Sequence, residues 1–374
     1  MADATEAEDA PPHRSLPDAI VVWEILVRLP SKSLLRCRCV CRAWRRATST
    51  GDFLLAHHAR QPTLPLLYRC QKSSVDILSF DHRAAADDHI QPVATLDHAA
   101  FYLMASCDGL LVISDPDGQF TVCNPATREY APLRQLDEFT EDDDDDVDLT
   151  LVGMYPHGPT GEYRLLGKLE ADDLDGYHYA VFTLGSSQPP RPIECPYECE
   201  HGVPVLFNDS LHWCACDMIL VFDITTETFR KMRQPIAPSD NVLMFESGGK
   251  LGISRFNDEE TIVDIWMMED YGAEVWVRKH TVELPVAELE LQFGEYQQEG
   301  IVVIPSCNGE VSGLVKFGEC LLQIDINGKV VASFDHHKLL VFSPLWLKQT
   351  LVQHSFFPTL EGYVVNGSPF KISE

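Results

Sequence analysis

The sequence predicts a small all-α module of three helices followed by a large all-β domain, which we interpret as an irregular β-propeller of about six to seven blades. Helix signals crowd into residues 15–60. From Leu64 onward, short β-branched and aromatic runs alternate with Gly, Asp, Asn and Pro, as is typical of β-structure. A weak repeat recurs there at intervals near those of propeller blades. Another large β-sandwich or barrel is the alternative architecture.

The composition is that of a globular protein that stays inside the cell. Of the 374 residues, 45% are hydrophobic and 23% are charged, so most of the chain should fold, with residues 1–14 as a disordered tail. The sequence has no signal-peptide pattern and no apolar stretch of the ~18 residues that mark a membrane span. We therefore expect a protein of the cytoplasm, the nucleus or both, with its twelve cysteines reduced.

The net charge of -28 is unevenly distributed along the chain. Residues 16–60 hold eight basic side chains and three acidic ones, a net charge of +5. Residues 1–15 hold four acids and one Arg, so residues 61–374 carry -30. Such an acidic body repels phosphate backbones. The charge therefore argues against nucleic acid as a partner and favours a basic or neutral protein target.

Three helices are predicted in the first module. Ser15 can cap the first helix, Pro17 suits its first turn, and Asp18 stands where it can reach back to the cap amide. Pro30 ends this helix and Ser31 opens a second one. The third contains Val40, Cys41 and Trp44 between arginines. A bundle of this size has too small a core to be robust, and its apolar surface is wider than one stripe, so a partner should cover it.

Six motifs recur at fixed intervals in this segment: Leu16-Pro17, Glu24-Ile25-Leu26, Leu29-Pro30, Ser33-Leu34, Val40-Cys41 and Trp44. With these motifs the segment resembles an F-box. The resemblance implies apolar docking to a Skp-type adaptor and, through it, to a cullin-RING ubiquitin ligase. The residues expected to contact the adaptor are Leu16, Pro17, Ile20, Ile25, Leu26, Leu29, Pro30, Leu34, Leu35, Val40, Cys41 and Trp44. An ordinary three-helix bundle, in which these residues are only core, is the alternative.

The repeat in the second module consists of a short apolar strand that ends in a polar turn. Its copies are Ile77–Asp81, Thr121–Pro125, Ala180–Leu184, Leu220–Ile224, Asp264–Met267 and Leu322–Ile326. Asn124 and Asp223 start the turns of the best-matched pair, where each side chain can accept bonds from the backbone that follows. These turns are predicted to join the outer strands of a blade, although two of the intervals between copies are long.

The same region resembles the F-box-associated domain of large plant F-box families. The resemblance covers roughly residues 100–280 and is carried by Ser106–Leu111, Asn124–Arg128, Phe207–Trp213, Phe222–Ile224 with Phe229, and Ile265–Met268 with Trp276. It weakens between residues 150 and 195, where the usual motifs are missing and the blade boundaries are left open. We expect a β domain at 61–374 behind an F-box domain at 15–60.

Few residues of the second module suggest a binding site. The acidic run Glu141, Asp142, Asp143, Asp144, Asp145 and Asp146 is expected to be a solvated loop, with a landing site for basic target segments as the alternative. Cys195, Cys199, His201, Cys214 and Cys216 approach the spacing of zinc ligands. However, Cys214 and Cys216 flank one residue of a predicted strand, as core residues beside Trp213 do. We therefore expect no metal.

The sequence contains no motif for a catalytic nucleophile, a phosphate loop or a dinucleotide site. We therefore expect a non-catalytic receptor without cofactors, bound to a Skp-type adaptor and to an unidentified target protein, with neither nucleic acid nor membrane as partner. An F-box scaffold or adaptor sink without ligase output is the alternative. A propeller hydrolase or oxidase would require a deep polar pocket.

Overall fold

The structure is a computed structural model that describes residues 16–84, 89–97, 101–139, 147–171, 178–197, 202–237, 242–257, 261–295, 302–305, 311–335 and 340–371. The chain divides into two compact units. The helical unit comprises residues up to Pro62 together with Gln349–Val352. The β unit comprises Thr63–Lys348 and the residues from Gln353 onward. The sequence analysis assigned all residues after 60 to the β domain, so the presence of Gln349–Val352 in the helical unit is a finding of the structure.

The helical unit contains four helical segments rather than three. These are α1 (Asp18–Ile20), which continues through a π-helical turn (Val21–Ile25) and a 3₁₀ turn (Leu26–Arg28), then α2 (Ser31–Cys37), α3 (Arg42–Ala47) and α4 (Gly51–His58). The fourth begins at Thr50, whose hydroxyl oxygen accepts a hydrogen bond from the Phe53 amide at 3.4 Å. A capping threonine before an apolar run is a helix start signal, and the three-helix prediction overlooked it.

Two helix starts differ from the prediction. Pro17 is the N-cap residue of α1 rather than a residue of its first turn, with extended backbone and no side-chain cap; the predicted cap residue, Ser15, lies outside the described residues. Val40 and Cys41 precede α3 rather than lying on it. Cys41 is extended and its Sγ accepts a hydrogen bond from the Trp44 amide at 3.4 Å. Both residues are therefore in a turn, which exposes them.

The core of the helical unit includes the short segment Gln349–Val352. The Ser31 hydroxyl donates to the Gln349 carbonyl at 2.8 Å, and His58 Nδ1 is hydrogen-bonded to the Thr350 hydroxyl at 2.9 Å. Thr350 is fully buried. The helical contribution to this core is Val22, Leu26, Val27, Leu34 and Phe53. Four residues remote in sequence thus complete a small core that the helices alone would leave partly open.

The β unit contains six antiparallel sheets arranged as a six-bladed β-propeller, as predicted. In chain order the strands are β1 (Thr63–Cys70), β2 (Val75–Phe80), β3 (Ile90–Leu96), β4 (Tyr102–Cys107), β5 (Leu110–Ser114), β6 (Phe120–Asn124), β7 (Glu129–Pro132), β8 (Val147–His157), β9 (Glu162–Ala171), β10 (His178–Thr183), β11 (Arg191–Ile193), β12 (Val205–Phe207), β13 (Ser210–Ala215), β14 (Met218–Asp223), β15 (Thr228–Arg233), β16 (Val242–Ser247), β17 (Lys250–Phe256), β18 (Ile262–Asp270), β19 (Val275–Glu283), β20 (Val302–Pro305), β21 (Val311–Phe317), β22 (Cys320–Ile324), β23 (Val330–Asp335), β24 (Leu340–Lys348) and β25 (Val364–Val365).

Blade 1 is completed by a strand from the other end of the chain. Its order is β24-β1-β2-β3, with Thr63 paired to Lys348 and Tyr68 paired to Val341. Blade 2 consists of β4 to β7 and gains a short outer strand, β25. Blades 3 to 6 consist of β8–β11, β12–β15, β16–β19 and β20–β23. The strand β24 therefore closes the ring by backbone hydrogen bonds, which pair the inner edge of β1.

Apolar clusters occupy all six contacts between neighbouring blades. Leu66 and Ile113 belong to the cluster between blades 1 and 2, and Trp213 belongs to the one between blades 3 and 4. Equivalent clusters lie between blades 2 and 3, 4 and 5, and 5 and 6. A further cluster joins blade 6 to blade 1 through Leu314 and Leu67. Because each sheet buries both faces, strands such as β5 are buried along their whole length.

Every copy of the predicted repeat lies on the third strand of a blade: β2, β6, β10, β14, β18 and β22. The two predicted turns are confirmed. Asn124 Oδ1 accepts from the Ala126 amide at 3.1 Å, and Asp223 Oδ1 accepts from the Thr226 amide at 2.7 Å. Each turn joins the third strand of its blade to the fourth. A polar residue at this position ends the strand and starts the outer hairpin.

The two long intervals in the repeat have separate causes. Blade 3 begins with the longest hairpin of the described chain, in which Val147–His157 pairs with Glu162–Ala171. Between blades 5 and 6 the chain forms a helix, α5 (Val286–Phe293), of which only Leu289 is buried. The sequence analysis predicted no helix in this region, and eight residues are too few for a clear helical period.

Candidate protein-interaction surfaces

An exposed apolar surface covers much of the helical unit. Of the fifteen exposed large apolar side chains in the described residues, seven lie on this small unit: Leu16, Ile20, Trp23, Ile25, Leu35, Val40 and Leu55. Val40 is the most exposed of the seven, at 67%. A concentration of exposed large apolar side chains on so small a unit is typical of a protein-interaction site. We call these seven side chains the helical docking surface.

The predicted adaptor-contact residues divide by burial. The exposed ones are Leu16, Pro17, Ile20, Ile25, Pro30, Leu35, Val40 and Cys41. Leu29 and Trp44 are partly buried, whereas Leu26 and Leu34 are buried in the unit's own core. Leu26 lies in the 3₁₀ turn that packs against both α2 and α4, and Leu34 lies on α2. We therefore assign these two residues to the support of the surface rather than to the surface itself.

Two members of the helical docking surface were missed in the sequence. Trp23 packs its ring on Phe53, with ring centroids 5.6 Å apart, and remains 43% exposed. Leu55 lies on α4, the helix that the three-helix prediction omitted. The capping Thr50 ahead of the run Phe53-Leu54-Leu55 was the signal that could have located it.

The helical unit also exposes basic side chains. Lys32, Arg36, Arg42, Arg45 and Arg46 are exposed, and we call these five the basic rim. Arg28 is held by Glu24 at 2.9 Å in a surface ion pair. Arg38 donates to the Thr48 carbonyl at 2.6 Å. A unit that exposes both apolar and positively charged side chains suits an acidic partner with an apolar groove.

The β unit contains a cavity at the centre of the propeller. It has a volume of about 270 Å³ and is lined mainly by β24, β4, β8, β12 and β16, the first strands of five blades. Met104, Met154, Leu206 and Trp346 provide much of its apolar wall. We call this cavity the channel pocket. No sequence signal could have indicated it, because its lining residues lie on five separate strands.

Polar and apolar groups contribute almost equally to the lining of the channel pocket. The Ser106 hydroxyl donates to the Trp346 carbonyl at 2.6 Å, which ties β4 to β24. Asp108 accepts a hydrogen bond from the Tyr163 hydroxyl at 3.1 Å. Glu246 and Lys348 also line the pocket. Burial, and then the nearby Asp108 charge, raise the pKa of the Cys107 thiol well above its ordinary value.

A buried thiol of this kind stays protonated at neutral pH and is a poor nucleophile. The lining residues include no histidine that could serve as its base.

The candidate metal ligands are not brought together in the described residues. Cys214 lies in β13 beside the cluster between blades 4 and 5, and burial raises the pKa of its thiol to about 12. Cys216 is exposed in the following turn with φ of 53°, so its predicted position on a strand face is wrong. Cys195 packs beside blade 3 and donates to the Tyr197 carbonyl. Cys199, His201 and the acidic run 141–146 lie outside the described residues.

A buried ion cluster joins blades 3 and 4. The Glu227 carboxylate, in the turn between β14 and β15, accepts from Arg164 at 2.7 Å and from the Tyr155 hydroxyl at 2.6 Å, and Arg191 also contacts it. Burial raises the pKa of Tyr155, so this phenol remains a hydrogen-bond donor. Arg164 also pairs with Glu162 at 2.9 Å, so the cluster has two guanidinium groups and two carboxylates, and we assign it a structural role.

Comparison with known proteins matches both units. A model described as F-box-like matches residues 14–60, and one described as the F-box associated beta propeller domain matches residues 54–312. The chain belongs to the F-box-associated β-propeller family. In this F-box protein, the helical docking surface lies within the F-box-like match and most of the channel-pocket lining lies within the F-box-associated match. No helix of the described residues is long and apolar enough to span a membrane.

The curated relatives of this F-box protein come from Arabidopsis thaliana. F-box protein At5g49610 is 26% identical over 294 residues, which cover 70% of this chain and 77% of the relative. F-box protein CPR1 is 24% identical over 304 residues, which cover 71% and 72%. None of these matches indicates a catalytic family.

Solved structures give weaker likenesses. A nidogen/laminin complex has a TM-score of 0.42 at 10% identity and covers 74% of this chain and 96% of its own. Dihydro-heme d1 dehydrogenase NirN in complex with DHE has a TM-score of 0.36 at 9% identity; the match covers 74% of this chain and 66% of that chain, just under two thirds. At these TM-scores neither likeness supports a statement about function.

Proposed function

We propose that this F-box protein is the substrate receptor of a Skp–cullin–F-box ubiquitin ligase. The observation that carries the proposal is the helical docking surface, an exposed apolar face on a unit too small to bury it. Docking a Skp-type adaptor would cover this face. The propeller would then hold a target protein close to the ubiquitin-carrying enzyme, which raises the effective concentration of the target's lysines.

The basic rim supports an acidic adaptor surface as the partner. Apolar side chains at the centre of an interface supply most of the affinity, and charges at the rim mainly speed association. We therefore expect adaptor binding to weaken with added salt without being abolished. A partner with a basic surface would give the opposite salt dependence.

The proposal is tested by a pulldown of the full chain with purified Skp-type adaptor. Ile20→Asp and Val40→Asp each place a charge in the contact and should weaken binding by more than about tenfold. Both side chains are exposed, so the fold should survive, as circular dichroism would verify. Leu291→Asp is the matched control, because Leu291 is 91% exposed on α5 and lies outside the surface.

Two results would refute the proposal. The first is failure of the unaltered chain to bind adaptor. The second is binding that survives both aspartate variants and the change of Leu16-Pro17 to Ala-Ala. Adaptor binding without cullin recruitment would instead identify the chain as a scaffold or adaptor sink without ligase output.

A further inference from the structure

We infer that the channel pocket binds one large apolar side chain of the target that stands next to an arginine or lysine in the target sequence. This inference rests on the proposed receptor function and names the chemistry of the target. It is argued from the size of the pocket, the chemistry of its walls and the placement of its charges.

The size of the channel pocket suits a single side chain. Its volume of about 270 Å³ is at or below the lower end of the range typical for pockets that enclose a drug-sized ligand. An inserted leucine, phenylalanine or methionine side chain fits within this volume. Recognition of a protein by one buried anchor surrounded by a polar rim is a common arrangement at interfaces.

The walls are adaptable and partly exposed. Met104 and Met154 come from neighbouring blades, and a methionine side chain can adjust its shape to the group that it contacts. Leu206 is 41% exposed although it lines the pocket, and Trp346 is only partly buried. The apolar wall is therefore accessible to a partner, and covering it would be favourable.

The charges that line the pocket favour a cation beside the anchor. Glu246 is exposed on blade 5. Its Oε1 accepts one hydrogen bond from the Gly249 amide at 2.8 Å. A target arginine or lysine could contact the carboxylate from the solvent side, where such a contact adds specificity and speeds association.

The remaining charges of the lining partly offset each other. Asp108 follows β4 and Lys348 ends β24, so these opposite charges come from the adjacent blades 1 and 2. Glu246 comes from blade 5, across the channel. The lining has two carboxylates and one ammonium group, within a chain region of net charge -30. An acidic segment or a phosphate-bearing ligand would be repelled by this field.

The test is selection of a random peptide library displayed on phage against the full chain. We expect the enriched peptides to contain a large apolar residue adjacent to Arg or Lys. Glu246→Lys should weaken their binding by about tenfold or more, and Glu246→Gln by less. Glu288→Lys changes the net charge equally at an exposed position on α5, outside the pocket, and should change binding by less than about twofold. Thermal melting of each variant verifies that it is folded.

Several outcomes would overturn the inference. These are no enrichment, enrichment of acidic peptides or of peptides without an apolar anchor, and equal binding to the unaltered chain and the Glu246→Lys variant. Equal losses in Glu246→Lys and Glu288→Lys would also overturn it, because they would indicate attraction to the whole acidic domain. The selection does not depend on the adaptor, so a failed adaptor pulldown refutes the receptor proposal while the peptide result still decides the pocket.

Discussion

The imidazole of His212 should make the propeller sensitive to acid. This side chain lies fully buried on β13 of blade 4. Its Nδ1 donates to the Ser210 carbonyl at 3.0 Å, and its Nε2 accepts from the Tyr271 hydroxyl at 2.7 Å. That hydroxyl accepts in turn from Arg230 at 2.7 Å. Burial lowers the pKa of His212 from 6.5 to about 4, with the charge of Arg230 contributing, so the ring is neutral at pH 7.

The sign and size of the effect follow from the coupling between protonation of His212 and folding. The unfolded chain takes up a proton at this ring near pH 6.5, whereas the folded protein does so only near pH 4. The buried neutral ring therefore makes its full contribution to the free energy of unfolding above pH 6.5. This stabilisation declines as the pH falls from 6.5 toward 4. Each pKa unit corresponds to about 1.4 kcal/mol. The full contribution is therefore about 3 kcal/mol, of which about 2 kcal/mol is lost between pH 7 and pH 5.

The assay is urea denaturation followed by tryptophan fluorescence at pH 7, 6 and 5. His212→Gln keeps a polar side chain but cannot titrate, so its free energy of unfolding should fall by about 2 kcal/mol less than that of the unaltered chain between pH 7 and pH 5. His178→Gln, at an exposed position on β10, is the control and should leave the pH dependence unchanged. An unchanged pH dependence in His212→Gln, or an NMR titration of His212 near pH 6.5, would refute the reasoning.

Three further predictions concern stability. Glu227→Gln leaves the Arg164 charge without its buried carboxylate and should lower the free energy of unfolding by about 3 kcal/mol. Urea denaturation measures this loss. A loss no larger than that of an exposed Glu→Gln variant would contradict the prediction. Thr350→Val removes a buried hydroxyl and should lower the stability of the helical unit by about 1–2 kcal/mol. Amide hydrogen exchange should become faster in α1–α4 and stay unchanged in β21. Equal changes in both would show that the variant destabilises the whole chain. Gly252→Ala would place a Cβ 2.4 Å from the Phe245 ring and should cost about 1–3 kcal/mol, measured by thermal melting; an unchanged melting temperature would mean that the ring has room to move.

Local chemistry made the third strand of each blade predictable. Asn124 and Asp223 end their strands by accepting bonds from the next backbone amides, and that preference is encoded in the residue itself. The apolar strand before each turn is buried on both faces, so it reads as a short continuous run. These two local signals located all six blades, although the sequence left their number at six or seven.

Non-local contacts account for most of what the sequence did not reveal. The pairing of β1 with β24 joins Thr63 to Lys348, and no motif near either residue indicates the other. The same is true of Thr350, which packs in the helical unit. In the F-box itself, spacing identified the apolar residues but could not divide them into exposed and buried sets. Leu34 lies in the core of the helical unit, whereas Val40 lies in the turn after α2 and is exposed.

The position of β24 in blade 1 has a consequence during synthesis. About 270 residues separate the end of β1 from the start of β24, and at about 5–20 residues per second a ribosome needs roughly 15–55 s to make them. Throughout that interval the inner edge of β1 has no partner strand, and an unpaired edge is a site for aggregation. Gln349–Val352, which complete the helical core, are made later still. A chain that stops early would have neither a closed ring nor a complete helical unit, so only a nearly finished chain can acquire both surfaces.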